Sequence, residues 1–263
     1  MVAEIISVGT EILLGDILNT NARYIAKRLS QIGIEVYYQT VVGDNYDRLK
    51  GALNIAFDRS DVVVLTGGLG PTKDDLTKEL VADYFGKDLV FNQEVYDNVE
   101  KRGFEFGLKE ISESIKKQAY VPEDALIIHN ECGTAPGMIL AKDGKAAVLL
   151  PGPPEEMKGL MEQCCELFLN KLSDKVFVSM NLRLKGRGEA PGSEIGEAPV
   201  ADKISAFLDY KNTTVATYAK PDGCVIRVTA AAADRDEALR LIEPVLLDLT
   251  EILAPVIKDV YES

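Results

Sequence analysis

Residues 61–79, DVVVLTGGLGPTKDDLTKE, constrain the fold more than any other stretch of this chain. The run 61–65 has the β-branched and aliphatic character of a central parallel strand, and it passes directly into Gly67, Gly68 and Gly70. Glycines lacking a Cβ let backbone come close to a ligand. In an open α/β sheet, ligands bind beyond the carboxyl ends of the strands, which is where this turn falls. Asp74 and Asp75 then open what reads as a helix. A glycine nest and a helix N-terminus attract anions, whereas two neighbouring carboxylates repel them unless a cation lies between. The stretch therefore predicts a phosphate-bearing ligand held partly through a divalent metal ion.

Strands and helices alternate around it. The pattern predicts strands at 3–8, 35–42 and 61–65 and helices at 19–32, 45–59 and 75–84. Asn19 reads as the N-cap of the first helix and Gly33 as its stop. Further helices are expected at 92–103, 110–118 and 155–171, while strands at 137–141 and 146–150 flank a hairpin-type Asp143-Gly144. Such repeated units imply right-handed crossovers and an α/β domain with a mainly parallel sheet and helices on both faces. Composition shifts at 173–175, dividing the chain into this domain at 1–172 and a smaller α+β domain at 175–263. The latter reads as strand 176–184, helix 200–208, strands 214–219 and 224–232, and helix 235–253. In that last helix Leu239, Ile242, Leu246, Leu249 and Leu253 recur at helical spacing, and Leu241, Val245 and Leu247 widen the apolar surface. One small sheet covers only one side of such a helix, so a homodimer, or docking against the first domain, is expected.

The charge balance narrows the partners. Twenty-nine basic against 42 acidic residues leave a net charge of −13. That argues against nucleic-acid or anionic-membrane binding, which needs Lys and Arg, but not against a nucleotide held by backbone amides and metal. No apolar run reaches the roughly 18 residues of a membrane span, and MVAEIISVG lacks the basic start of a secretory signal, so a cytoplasmic protein is expected. Cys132, Cys164, Cys165 and Cys224 form no CxxC pair and no zinc spacing. Cys164 and Cys165 are expected to be one buried and one half-buried thiol. His129, the only histidine, lies in a polar loop without a nucleophile motif, so no His-based triad is expected. The absence of a Walker sequence and of GxGxxG removes P-loop kinases and Rossmann dehydrogenases.

Four segments, VGTEILLGDILNTN at 8–21, TGGLGPTKDDLTKE at 66–79, ECGTAPGM at 131–138 and LLPGPPEEM at 149–157, together resemble the N-terminal domain of the CinA (competence-damage-inducible) family, within the wider molybdopterin-binding superfamily. The resemblance implies that Asp75, in Lys73-Asp74-Asp75-Leu76-Thr77, serves metal binding and catalysis; a helix N-cap is the other role open to it. Asp44, just after the second strand, is the matching acidic position there and is equally open to capping. Glu11 and Asp74 complete a candidate metal set of hard oxygen ligands suited to Mg²⁺ or Mn²⁺. Thr66, Gly67, Gly68, Gly70 and Thr72 would offer amides and hydroxyls to phosphate, with Asn21 as a further polar contact. Two loops, one with Gly133, Pro136 and Gly137 and one with Pro151 and Gly152, resemble the remaining walls. Glu155 and Glu156 follow in the first turn of a helix, where dipole complementarity accounts for them.

The activity implied is divalent-metal-dependent (Mg, Mn or Co) hydrolysis of ADP-ribose to AMP and ribose 5-phosphate, a reading that Leu69 and PGPPEEM favour over molybdenum-cofactor-type adenylyl transfer. The alternative is a pterin- or nucleotide-binding module without hydrolysis. Either Asp44 or Asp75 would orient the attacking water, and the sequence does not choose. The second domain resembles the family's KH-type domain, but no GxxG clamp follows residue 175, so RNA binding is not expected. Gly-Glu-Ala-Pro occurs twice, at 188–191 and 196–199, where relatives have one turn best matched by Ile195-Gly196-Glu197. Longer members carry a nicotinamide-mononucleotide deamidase domain, which is expected to fall outside these 263 residues.

Overall fold

The computed structural model describes residues 1–186, 197–208, 213–220 and 223–262. They form two compact units, Met1–Ser30 with Ile34–Ser173, and Gln31–Gly33 with residues 174–263.

The first unit is a six-stranded sheet made from β1 (Val2–Val8), β2 (Glu35–Val42), β3 (Val62–Thr66), a three-residue pair β4 (Leu89–Phe91) and β5 (Tyr120–Pro122) set apart from it, β6 (Leu126–Ile128), β7 (Gly137–Lys142) and β8 (Lys145–Leu150). The order is β2-β1-β3-β8-β7-β6. Strands β2, β1, β3 and β8 are parallel; β7 runs antiparallel to β8 and to β6. All five residues of β3 are buried, as a central strand covered on both faces requires. One face, with Ile6, Val63, Leu65, Ala147 and Leu149, packs in a single cluster with Leu53 and Phe57 of α3 (Tyr46–Arg59) and Leu80 of α4 (Thr77–Phe85). The opposite face meets α7 (Pro154–Leu167): a Cβ on Gly137 would sit 3.2 Å from Leu160. Helix α2 (Thr20–Gln31) flanks α7, where Arg28 and Tyr24 both bond to Glu162 at 2.5–2.9 Å. The chain passes from β1 to its neighbour β2 and then crosses back over β1 to β3, so the strand order reverses between β1 and β3. Ligand clefts in such sheets form at that reversal.

Where the chain departs from the sequence expectation, local bonds explain it. Helix α4 begins at Thr77, not at residue 75, because the Asp75 carboxylate folds back on Thr72. Asn45, not Asp44, caps α3 by accepting from the Arg48 amide. The expected helix 110–118 is reduced to α6 (Glu113–Lys116) and a tight turn, following α5 (Gln93–Glu105). Helix α1 (Thr10–Leu14) and strands β4, β5 and β6 went unread: five and three residues are too short to establish a period. Cys164 and Cys165 are both fully buried, contrary to the half-buried expectation for one of them; burial pushes both thiols up, Cys165 to about 11.

The second unit is a smaller α+β layer pair: an antiparallel sheet β10-β11-β9-β12 built from β9 (Val176–Leu184), β10 (Thr213–Lys220), β11 (Gly223–Ala232) and β12 (Ile257–Glu262). Short helices α8 (Glu197–Lys203) and α9 (Ser205–Leu208) and the long α10 (Arg235–Leu253) complete it. Ala238, Ile242, Val245, Leu249 and Leu253 of α10 are buried, while Leu247 is 65% exposed. Of the Gly-Glu-Ala-Pro repeats, 188–191 and Gly196 lie outside the described residues, and 197–199 open α8. No helix among the described residues is long and apolar enough to cross a membrane.

Phe57 is fully buried, stacked on Tyr84 and edge-on to Phe85. Phe57→Ala is expected to lower unfolding free energy by about 3–5 kcal/mol, read by urea denaturation, with no change in the slope of the transition.

Candidate functional site

The site is built where the ends of β1 and β3 meet. Gly67 has φ +101°, and a Cβ there would lie 2.1 Å from the Val8 carbonyl oxygen. Gly68 follows at φ +69°, with a would-be Cβ 2.3 Å from Thr77 Oγ1. Both positions admit only glycine. Thr77, fully buried, ties the turn to α4: its hydroxyl donates to Gly67 O at 2.8 Å and its amide to Gly68 O at 3.2 Å. Gln118 Nε2 reaches Leu69 O from outside at 3.4 Å, and Lys117 Nζ donates to the Asp75 carbonyl at 3.3 Å. Among the described residues the amides of Gly68, Leu69 and Gly70 donate to no protein acceptor. Successive free amides in a glycine turn can bind an anion where they converge.

These residues line a cleft of about 340 Å³ into whose walls four carboxylates are set: Glu11, Asp44, Asp75 and Glu156. Asp75 Oδ2 accepts from the Thr72 amide at 2.8 Å and hydroxyl at 2.6 Å. Asp44 Oδ2 accepts from the Thr10 amide at 2.9 Å and hydroxyl at 2.8 Å. Each aspartate is thus oriented by one N–H and one O–H, and its Oδ1 accepts no hydrogen bond among the described residues. Neither is a helix cap. Glu11, on α1, lies over Gly9, where a Cβ would come within 2.6 Å of its Oε1.

Glu156 sits in the first turn of α7, half-buried. Its Oε2 accepts from Asn130 Nδ2 at 2.6 Å, and burial raises its proton affinity above the ordinary glutamate value. Asn130 is itself pinned, donating also to Ala135 O at 2.8 Å and accepting from the amides of Cys132 and Gly133 at 2.9 Å. A Cβ on Gly133 would fall 2.0 Å from Glu156 Oε2, so a larger residue there would require the carboxylate to shift.

The other expected residues divide. Pro151 and Gly152 line the cleft, as do Gly67, Gly68 and Gly70. Thr72 is exposed and spends its hydroxyl on Asp75; Asp74 is exposed and outside the lining. Pro136 and Gly137 are buried behind the wall, which Thr134 and Ala135 supply instead. Thr66 and Asn21 form a buried brace, Asn21 Nδ2 donating to Thr66 Oγ1 at 2.9 Å and to Gly152 O at 2.8 Å. His129 pairs with Glu94 at the surface. Sequence reasoning missed Gln118 and assigned Glu156 to the helix dipole; Asn130, the residue that reveals Glu156, carries no motif of its own.

Among the described residues no three His, Cys, Asp or Glu side chains converge as a protein-only metal cage. Asp44 and Asp75 line the cleft with Oδ1 unbonded, so a divalent ion there would draw on one or two carboxylates and complete its shell with water and substrate phosphate.

Comparison with known proteins decides the family. Residues 4–171 match the family described as probable molybdopterin binding domain, and 193–257 match the damage-inducible protein CinA KH domain. The chain belongs to the CinA family. A putative competence-damage inducible protein of Clostridium botulinum (strain Okra / Type B1) is 49% identical over 96% of this chain. One from Caldicellulosiruptor saccharolyticus is 47% identical over 92%. The chain spans 60% and 57% of the lengths of these two relatives. The crystal structure of a CinA protein with unknown function from Thermoplasma acidophilum superposes with TM-score 0.58 and 38% identity, covering 63% of this chain and 98% of that one.

Gly67→Ala, which forces a Cβ onto the Val8 carbonyl, is expected to cost at least about 2 kcal/mol. Gly51→Ala, in the exposed interior of α3 with nothing within 4 Å of a new Cβ, should instead gain about 0.5–1 kcal/mol. Paired denaturation curves that place the two variants on the same side of the parent would contradict this account of the turn.

Proposed function

We propose that this CinA-family chain hydrolyses a nucleotide pyrophosphate of the ADP-ribose type, giving AMP and ribose 5-phosphate. One observation carries the reading: the free amides of Gly68, Leu69 and Gly70 share a cleft with Glu11, Asp44, Asp75 and Glu156. Neutral amides suit phosphate oxygens, and the carboxylates then require a cation between themselves and the ligand. A bound divalent ion of the magnesium, manganese or cobalt type neutralises charge building on the pyrophosphate. Asp44 and Asp75, each fixed through Oδ2, keep Oδ1 as donor oxygens for that ion. Glu156 orients water: the water oxygen bonds to phosphorus as the bridging P–O bond breaks, and the proton passes to the carboxylate. Its raised proton affinity matches a base better than an ordinary exposed aspartate does. The family description over 4–171 supports a second reading, a pterin- or nucleotide-binding module without turnover.

Three outcomes test this. ADP-ribose hydrolysis should vanish in excess EDTA and return with added divalent ion. Asp75→Asn should lower turnover at least about a hundredfold with unchanged melting, since Asn keeps the bond from Thr72 but is a poor metal ligand; unchanged turnover would remove Asp75 from the chemistry. Because the base works ionised and its pKa is raised, activity should fall as pH drops through a value above the ordinary carboxylate range, and Glu156→Gln should abolish that limb. We propose further that the chain self-associates through the exposed Leu247 and Ile252 of α10 and binds no nucleic acid. Light scattering that gives a 28.7 kDa particle would exclude the dimer.

A further inference from the structure

The three free amides of the glycine turn each follow a carbonyl that is held. In a trans peptide the C=O of one residue and the N–H of the next point in opposite directions, so fixing the acceptor fixes the donor behind it. The Thr77 hydroxyl holds Gly67 O and so sets the Gly68 amide; the Thr77 amide holds Gly68 O and sets that of Leu69. The third carbonyl, Leu69 O, is held among the described residues by Gln118 Nε2 alone, which sets the amide of Gly70.

Gln118 is an expensive choice for that position if its role is only to fill space. It is 3% exposed, its bond to Leu69 is 3.4 Å long, and its Oε1 is buried without a partner. A buried acceptor left unpaired destabilises a fold, whereas an apolar side chain of similar shape does not.

The turn that carries it, Lys117–Ala119 between α6 and β5, is itself pinned through Lys117. Lys78, 3% exposed, donates through Nζ to Lys117 O at 2.5 Å. Burying an ammonium is unfavourable, and burial pushes the Lys78 amine down to about 8. From its other end Lys117 donates through Nζ to Asp75 O at 3.3 Å and lies 3.0 Å from Glu79 Oε1. Gly70 and Asp75, the two residues so held, meet each other: a Cβ on Gly70 would fall 2.7 Å from Asp75 Oδ2.

We propose that Lys117 and Gln118 are positioning residues of the cleft. Gln118 aims the Gly70 amide, Lys117 fixes the backbone of Asp75, and together they keep the glycine turn and the aspartate at one spacing. The inference rests on the nucleotide reading of the cleft and adds what that reading leaves open, the part that holds phosphate and cation in register. Each side chain acts through the backbone it holds.

The test is calorimetric titration of inorganic pyrophosphate into the intact chain at a series of magnesium concentrations, with a melting curve for every variant. Gln118→Met removes the donor to Leu69 O together with the unpaired Oε1. It should weaken pyrophosphate about tenfold while melting stays level or rises. Lys117→Met should raise the magnesium needed for half-maximal pyrophosphate binding about tenfold, and Lys117→Arg, which can still donate to Asp75 O, should return it to within about threefold of the parent. The Lys117 side chain is 36% exposed, so its variants decide the matter even if Gln118→Met does not fold. Folded variants with parental pyrophosphate and magnesium binding would overturn the inference. So would losses of binding that track losses of melting temperature in all three variants, the mark of a scaffold role alone. A parent chain that binds no pyrophosphate at any magnesium concentration would remove the cleft reading itself, and the positioning roles with it.

Discussion

The approach of Gly67 to the Val8 carbonyl is the contact on which the site depends. A Cβ 2.1 Å from a backbone oxygen is impossible, so any other residue would drive the ends of β1 and β3 apart or unwind the turn between β3 and α4. With glycine there, the strand order reverses without a gap, and the turn leaves three amides unspent. Thr77 ties this turn to the start of α4, because it donates to the carbonyls of both Gly67 and Gly68. The same junction is tied across the sheet by Asn21, Thr66, Pro151 and Gly152. A backbone constraint of one residue thus fixes the turn and the entry to α4.

Much of this was legible because it is local. A buried strand, a glycine turn and two acidic positions are adjacent in sequence, and their meaning follows from backbone geometry. What was illegible depends on partners far along the chain. Whether Asp44 caps α3 or faces a cleft is decided by Thr10, 34 residues away, and Asn21 finds Gly152 across 131. Glu156 looks like an ordinary first-turn acid until Asn130, 26 residues earlier, is seen holding it. Asp75 shows the reverse case. Its partner Thr72 is three residues away, yet the sequence left a helix cap open beside the metal-binding role, and the start of α4 at Thr77 removes the cap. Periodicity also failed at β4, β5, β6 and α1, which owe their form to neighbours.

The carboxylates divide by environment. Asp44 and Asp75 are each held by an amide and a hydroxyl at loop ends, whereas Glu156 lies partly out of water against an asparagine amide, and burial raises its proton affinity. On the hydrolytic reading proposed above, the two aspartates would hold a cation and the desolvated glutamate would exchange a proton.

Among the described residues the cleft lining contains no lysine or arginine. On the nucleotide reading proposed above, phosphate recognition would come from backbone dipoles, in a chain whose net charge is −13. Dipoles of fixed geometry select where an anion sits but supply little of the long-range attraction that basic residues give. An anionic ligand approaching this surface meets repulsion unless it arrives with its own cation, or finds one waiting. On the proposed reading the acidic walls and the glycine turn would act as one device: affinity for the anion would be conditional on the metal, and the protein itself would contribute position.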